Sequence, residues 1–329
     1  MEKRRIGKSD IDVAVLAMGA WAIGGGTWWG ENDDNLSMKA IHKALDLGIN
    51  WIDTAPVYGF GHSEEVVGKA LKDRRAKVIL STKCGLQWYD TNGSQHFNKD
   101  GHSVYRDLSA KGLRRDLEYS LKRLNTDYID VYYTHWQSVE PGFTPIEETM
   151  TELMKMKKEG KIRAIGASNV SLDHLKEYIK YGQLDVIQEK YSILDRRIEE
   201  ELLPFCEEHQ ITLQTYSPIE RGLLTGKFIN YQPKAGEARE NQKWWKPENR
   251  KLVQKMLESW GDLTEKYNCT VGNLVIQWTA SQSKNINVLC GARKVNHVEE
   301  NVKAAMIELE LKDIERMTKD AEDIIAKGQ

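Results

Sequence analysis

The 329-residue chain has little excess charge of either sign: 47 basic residues stand against 49 acidic ones, a formal net charge of −2. No single-sign field exists to gather phosphate backbones or anionic lipid, so nucleic acid and membrane surfaces are poor partners for it. Long hydrophobic runs are also missing. No window offers the roughly 18 apolar residues of a membrane span, and the opening MEKRRIGKSDIDVAVLAMGA lacks the apolar stretch of a secretory signal. A cytoplasmic protein is the expectation. Cysteine is scarce, with Cys84, Cys206, Cys269 and Cys290 scattered and no C-x-x-C pair. That argues against a disulfide framework and a zinc site, and no metal is expected. Also absent is a G-x-G-x-x-G run after the first strand. Gly24-Gly25-Gly26 sits in a Trp-rich stretch instead of opening a helix, which weighs against an open doubly wound sheet.

What the chain does have is a rhythm. Short apolar, β-rich runs at 14–19, 49–52, 78–82, 128–134, 161–166, 185–188, 211–215 and 286–289 each precede a stretch with helical spacing. Residues 113–124 carry Leu113, Leu117, Leu121 and Leu124 on one face, and Ser171 caps another helix. Helices are also predicted over 37–47, 63–71, 146–158, 199–208, 251–267, 271–281, 295–305 and 313–326, with polar loop over 85–106 and an insertion over 222–247. Eight strand-helix units without a composition break predict one closed parallel (β/α)8 TIM barrel over residues 1–329. Parallel strands need helical crossovers, and closure leaves no sheet edge.

In such a barrel the chemistry gathers at the C-terminal ends of the strands. Asp53 and Tyr58 follow the second strand, Lys83 ends the third and His135 the fourth. Singly these residues have plain structural explanations, such as a helix cap, a buried ion pair or a core histidine. Together at successive strand ends they suit proton transfer to a carbonyl oxygen while a hydride reaches its carbon. A phenol holds its proton at neutral pH and needs help to release it. Lys83 would stabilise the phenolate, Asp53 would hold the ammonium and keep its pKa up, and His135 would orient the carbonyl. The hydride needs a cofactor, since no side chain supplies one.

The run Asp53-Thr54-Ala55-x-x-Tyr58-Gly59, with Ser63-Glu64, Thr82-Lys83, His135-Trp136, Ile165 to Asn169 and Gly291 to Lys294, resembles the aldo-keto reductases from about Ile6 to Leu309. Within that superfamily Trp21 to Gly25, Trp28-Trp29 and Arg221 to Lys227 look most like bacterial general-stress and inositol-operon-associated members. The resemblance implies a catalytic tetrad of Asp53, Tyr58, Lys83 and His135, with Tyr58 as general acid. It implies that Ser168, Asn169 and Gln188 hold the nicotinamide carboxamide and that the ring stacks on Tyr216. Gly19, Ala20 and Trp21 would lie by the cofactor, and Ser217, Ile219, Arg221, Gly222, Leu223 and Lys227 would straddle its pyrophosphate. Gly291, Ala292, Arg293, Lys294, His297, Glu300 and Asn301 would grip the adenosine end.

The chain departs from the family pattern at Ala20, Gln137, Ser192 and His297, where Thr, Pro, Asn and often Arg are usual. Preference for NADP(H) then rests on Arg293 and Lys294, with NAD(H) open. The substrate is expected to be a small aldehyde or ketone, and a sugar- or polyol-derived carbonyl suits the aromatic residues Trp28, Trp29, Trp88, Tyr89 and Trp136 at the mouth. Asp195-Arg196-Arg197 and Trp244-Trp245 are candidates for further polar contacts. Two rival readings stand beside this one. Lys83 could form a Schiff base in a lyase or isomerase, which needs a depressed pKa. Alternatively the chain could be a redox-sensing, nicotinamide-binding regulatory subunit with little turnover.

Overall fold

Eight short strands form the barrel: β1 (Leu16–Gly19), β2 (Trp51–Asp53), β3 (Ile79–Cys84), β4 (Ile129–Thr134), β5 (Ile162–Ser168), β6 (Val186–Lys190), β7 (Thr212–Tyr216) and β8 (Ile286–Gly291). In this computed structural model, which describes residues 1–228 and 230–328, each is paired in parallel with its neighbours. β8 closes the ring on β1 through Val288 to Gly291 against Leu16 to Gly19. Alternation along each strand divides its side chains between two cores. Ala17, Val131, Tyr133 and Ala164 fill the barrel, while Leu16, Met18, Tyr132 and Ile165 lie under the surrounding helices.

The N-terminal segment, which the sequence left unassigned, is a hairpin of Lys3–Arg5 with Asp12–Ala14. Its Ile6 and Ile11 pack with the barrel interior, and Gly7 N donates to Thr212 Oγ1 at the start of β7 (2.8 Å). One mouth is thereby stoppered, and the opposite mouth holds the strand C-termini. The helices start where the sequence offers a cap. Asp33 accepts from Leu36 N before Asp34–Asp46, and Ser171 and Thr270 form capping boxes before Leu172–Tyr181 and Val271–Ser281.

Two expectations change. The loop predicted over 85–106 is a three-stranded antiparallel sheet, Leu86–Gln87, Ser94–Lys99 and His102–Arg106. Its polar composition hid it, because the pattern of an edge sheet lying on other loops carries little hydrophobic alternation. The helix predicted over 251–267 is two, Pro247–Glu258 and Gly261–Lys266. The break lies at Trp260, whose buried ring donates Nε1–H to Asp320 in the last helix (2.9 Å). Among the described residues no helix is long and apolar enough to cross a membrane.

Candidate active site

Asp53 closes β2, and its two carboxylate oxygens are both engaged. Oδ1 accepts from Ser81 Oγ (2.7 Å) and Oδ2 from Lys83 Nζ (2.6 Å). Lys83 also donates to the Thr54 carbonyl (2.8 Å) and is wholly buried. Its ammonium lies 5.0 Å from the centre of the Tyr58 ring. The His135 ring stands edge-on to Tyr58 with centroids 5.9 Å apart. Neighbouring strands position both ends of this set, since Lys83 pairs with Tyr133 in the β3–β4 ladder and His135 N donates to the Cys84 carbonyl (2.9 Å).

Tyr58 is placed by a crossing of two glycines. A Cβ on Gly24 would come 2.5 Å from the Tyr58 carbonyl carbon, and one on Gly59, at φ +66°, would come 2.2 Å from Gly24 O. Only Gly at both positions lets the Trp-rich loop after β1 cross directly over the phenol-bearing turn.

Burial dominates the titration of the set. It lifts the Tyr58 phenol well above 10, with the Asp53 carboxylate adding to the effect, so the proton stays on. Burial also takes His135 well below its ordinary range, aided by Lys83 and His96, and the imidazole is neutral. Lys83 was expected to be held up by Asp53. Instead desolvation outweighs the carboxylate and the ammonium lies below its ordinary value. A Schiff base does not follow, because Nζ has no exposed surface and does not line the pocket.

That pocket, about 830 Å³, runs across the mouth. Of the expected residues it is lined by Gly19, Trp21, Asp53, Tyr58, His135, Ser168, Asn169, Gln188, Tyr216, Ser217, Ile219, Arg221, Gly222, Lys227, Gly291, Ala292, Arg293, His297, Glu300 and Asn301, together with Trp28, Trp29 and Trp136. Asn169 ties its middle together. Its Nδ2 donates to the His135 carbonyl (2.8 Å) and its Oδ1 accepts from the Tyr216 hydroxyl (2.9 Å). After Tyr216 the chain turns through four left-handed positions, Ser217, Glu220, Arg221 and Gly222. Three of these are not glycine, which marks a strained segment held by its surroundings.

Other expected residues lie elsewhere. Ala20 and Leu223 are buried in the core, and Lys294 is exposed before the helix Val295–Ala304; none of the three lines the pocket. Trp88 and Tyr89 stack on each other and line a separate groove beside Tyr119, because the antiparallel sheet carries them away from the mouth. Trp244 and Trp245 are buried, donating to the carbonyls of Leu194 and Glu220, and Arg196 and Arg197 pair with Glu199 and Asp195. Ser192 bonds Glu220 (2.6 Å). Gln137 joins Tyr178, Thr134 and Ser168 behind His135.

Sequence reasoning missed residues that the structure adds to the wall: Val57, Leu86, His96, Phe97, Phe228, Tyr231 and Arg239. Arg239 sits 4.6 to 5.4 Å from the ring centres of Trp29, Phe228, Tyr231 and Trp245. Its Nε donates to the Arg221 carbonyl (3.0 Å), and the loop is further clasped by Ala238 N on Trp28 O (3.1 Å). The spacing of aromatic residues around 228–245 was the one available signal.

A nicotinamide dinucleotide fits these residues. Arg221, Arg239 and Arg293 line the pocket, and among the described residues none of them has a carboxylate ion partner. Buried donors at Arg221 Nε and Trp29 Nε1 and the His135 Nδ1 atom lack partners among the described residues. A polyanionic ligand that also carries hydrogen-bonding groups would meet them.

A sequence model of the Aldo/keto reductase family matches residues 15–322. The chain is 48% identical over 326 residues to an NADH-specific methylglyoxal reductase of Escherichia coli strain K12, covering 98% of this chain and 99% of that one. It is 37% identical over 303 residues to the aldo-keto reductase YhdN of Bacillus subtilis strain 168, covering 91% and 87%. Among solved structures, the glycerol dehydrogenase AKR11B4 from Gluconobacter oxydans superposes with a TM-score of 0.85 at 35% identity, covering 99% of this chain and 95% of that one. With its closed eight-stranded parallel barrel and a match of this extent, the chain belongs to the aldo/keto reductase family.

Proposed function

We propose that the protein reduces a small aldehyde or ketone to the alcohol with a reduced nicotinamide dinucleotide, Tyr58 giving the proton. The observation that carries this reading is the joining of Tyr58, His135 and the Asp53–Lys83 pair beside one pocket that Arg221, Arg239 and Arg293 also line. The cofactor, when bound, supplies the hydride. Lys83 faces the Tyr58 ring and eases the build-up of phenolate charge, while Asp53 and the Thr54 carbonyl fix the ammonium in place. Neutral His135 orients the carbonyl oxygen. Asn169, Ser168 and Gln188 would hold the carboxamide, Tyr216 would carry the ring, and the strained turn of Ser217 to Gly222 would contact the pyrophosphate.

At the adenosine end Arg293 favours NADP(H), while Lys294 lies outside the pocket lining. A second reading, NAD(H), is supported by Arg293 itself, whose Nη1 already donates to the carbonyls of Trp29 and Glu31 (both 3.1 Å), and by the NADH-specific name of the 48% identical relative. The narrower likeness to general-stress and inositol-operon-associated members is part of the same proposal. The test is a panel of small aldehydes, ketones and aldoses assayed with each reduced cofactor, following the loss of reduced-nicotinamide absorbance. Cofactor binding without turnover of any of them would favour the regulatory reading.

A further inference from the structure

The antiparallel sheet over the mouth contains a bulge at the pocket wall. Gln95 pairs with Tyr105 and Phe97 with Val104, so His96 is an extra residue between them. In a regular strand His96 and Phe97 would point to opposite faces. The bulge re-aims the strand, and both line the pocket. His96 lies 5.1 Å, centroid to centroid, from the rings of both Phe97 and Trp136.

Arg106 fixes its tautomer. Nη2 of the guanidinium, which can only donate, stands 2.9 Å from His96 Nδ1. Nδ1 is therefore the acceptor, and the proton of the neutral ring is on Nε2. Arg106 is itself anchored on the Gln137 carbonyl (3.2 Å) and lies 5.0 Å over the Trp136 ring. Among the described residues it has no carboxylate partner. Burial and this guanidinium bring the His96 pKa down to about 4. This N–H donor belongs to a pocket lining that also includes the apolar side chains of Val57, Leu86, Phe97, Trp28 and Trp136.

Resting on the reductase reading above, we propose that His96 is a specificity-determining residue whose Nε2–H binds a second oxygen of the substrate. The substrate class is then small oxygenated carbonyls, 2-oxoaldehydes and hydroxyaldehydes, in preference to alkyl aldehydes of the same length. An alkyl compound that covers this donor without offering it an acceptor is penalised.

Glyceraldehyde and propanal, which share a three-carbon chain, test this in wild type, His96→Phe and His96→Gln at saturating reduced cofactor. His96→Phe should lower kcat/KM for glyceraldehyde roughly tenfold to a hundredfold and change propanal by less than about threefold. His96→Gln, which keeps an N–H, should recover part of the loss. Equal losses on both substrates, no loss, or a wild type that prefers propanal would overturn the role of His96 while leaving carbonyl reduction standing. A wild type that binds cofactor and reduces neither compound would overturn the reductase reading and this proposal with it.

Discussion

Lys83 Nζ and Asp53 Oδ2 are 2.6 Å apart, and neither side chain reaches solvent. A buried ion pair is rarely kept for stability, because desolvation offsets most of its Coulomb gain. Here the ammonium lies 5.0 Å from the Tyr58 ring centre, and under the proposed function that contact is what the pair is kept for.

Replacing Lys83 by Met should leave Asp53 buried without its ion partner and bonded to Ser81. Loss of one partner of such a pair typically costs about 3–5 kcal/mol. Denaturant unfolding should show this loss, alongside reduced turnover. A Lys83→Met protein as stable as wild type would mean that the pair is not charged in the native state.

Tyr58→Phe keeps the ring against Trp21 and His135 but removes the acidic hydrogen. Cofactor binding should survive while reduction falls by roughly 10² to 10⁴. The double variant with Lys83→Met should lose far less than the product of the two, since the pair acts as one unit. Single-turnover cofactor oxidation at the wild-type rate in Tyr58→Phe would refute its role as general acid.

Arg293→Ala should weaken NADPH binding by roughly 1–3 kcal/mol more than NADH binding if the guanidinium reads the 2′-phosphate. Because Arg293 also ties Trp29 and Glu31 to the segment after β8, NADH binding should weaken as well, by a smaller amount. Equal losses in a fluorescence titration would assign Arg293 to the loop alone.

Glu189 gives a pH test independent of catalysis. Burial lifts its carboxyl to about 8, and it accepts from Val170 N beside Asn169 (2.7 Å). The folded protein holds this proton from about pH 4.5 to about 8, where the unfolded chain has released it, so the group costs stability increasingly as pH rises through that window. Gln keeps the acceptor and cannot ionise. The stability of Glu189→Gln relative to wild type should therefore grow by about 1.4 kcal/mol per pH unit between about pH 5 and 8. A pH-independent difference would contradict the raised carboxyl.

The sequence by itself determined the barrel and the heart of its site. Strand and helix periods are local, and Asp53, Lys83 and His135 each end a strand whose apolar run is visible, so closure alone brings them together. Tertiary structure decided the rest of the pocket. The bulge that turns His96 inward, the clasp of Arg239 on Trp29 and the removal of Trp88 to another groove depend on which loops meet, and loops carry no repeating pattern to read. It also decided the sign at Lys83. Proximity of Asp53 could be inferred from strand order, but the desolvation that outweighs it comes from complete burial, which only the folded barrel sets.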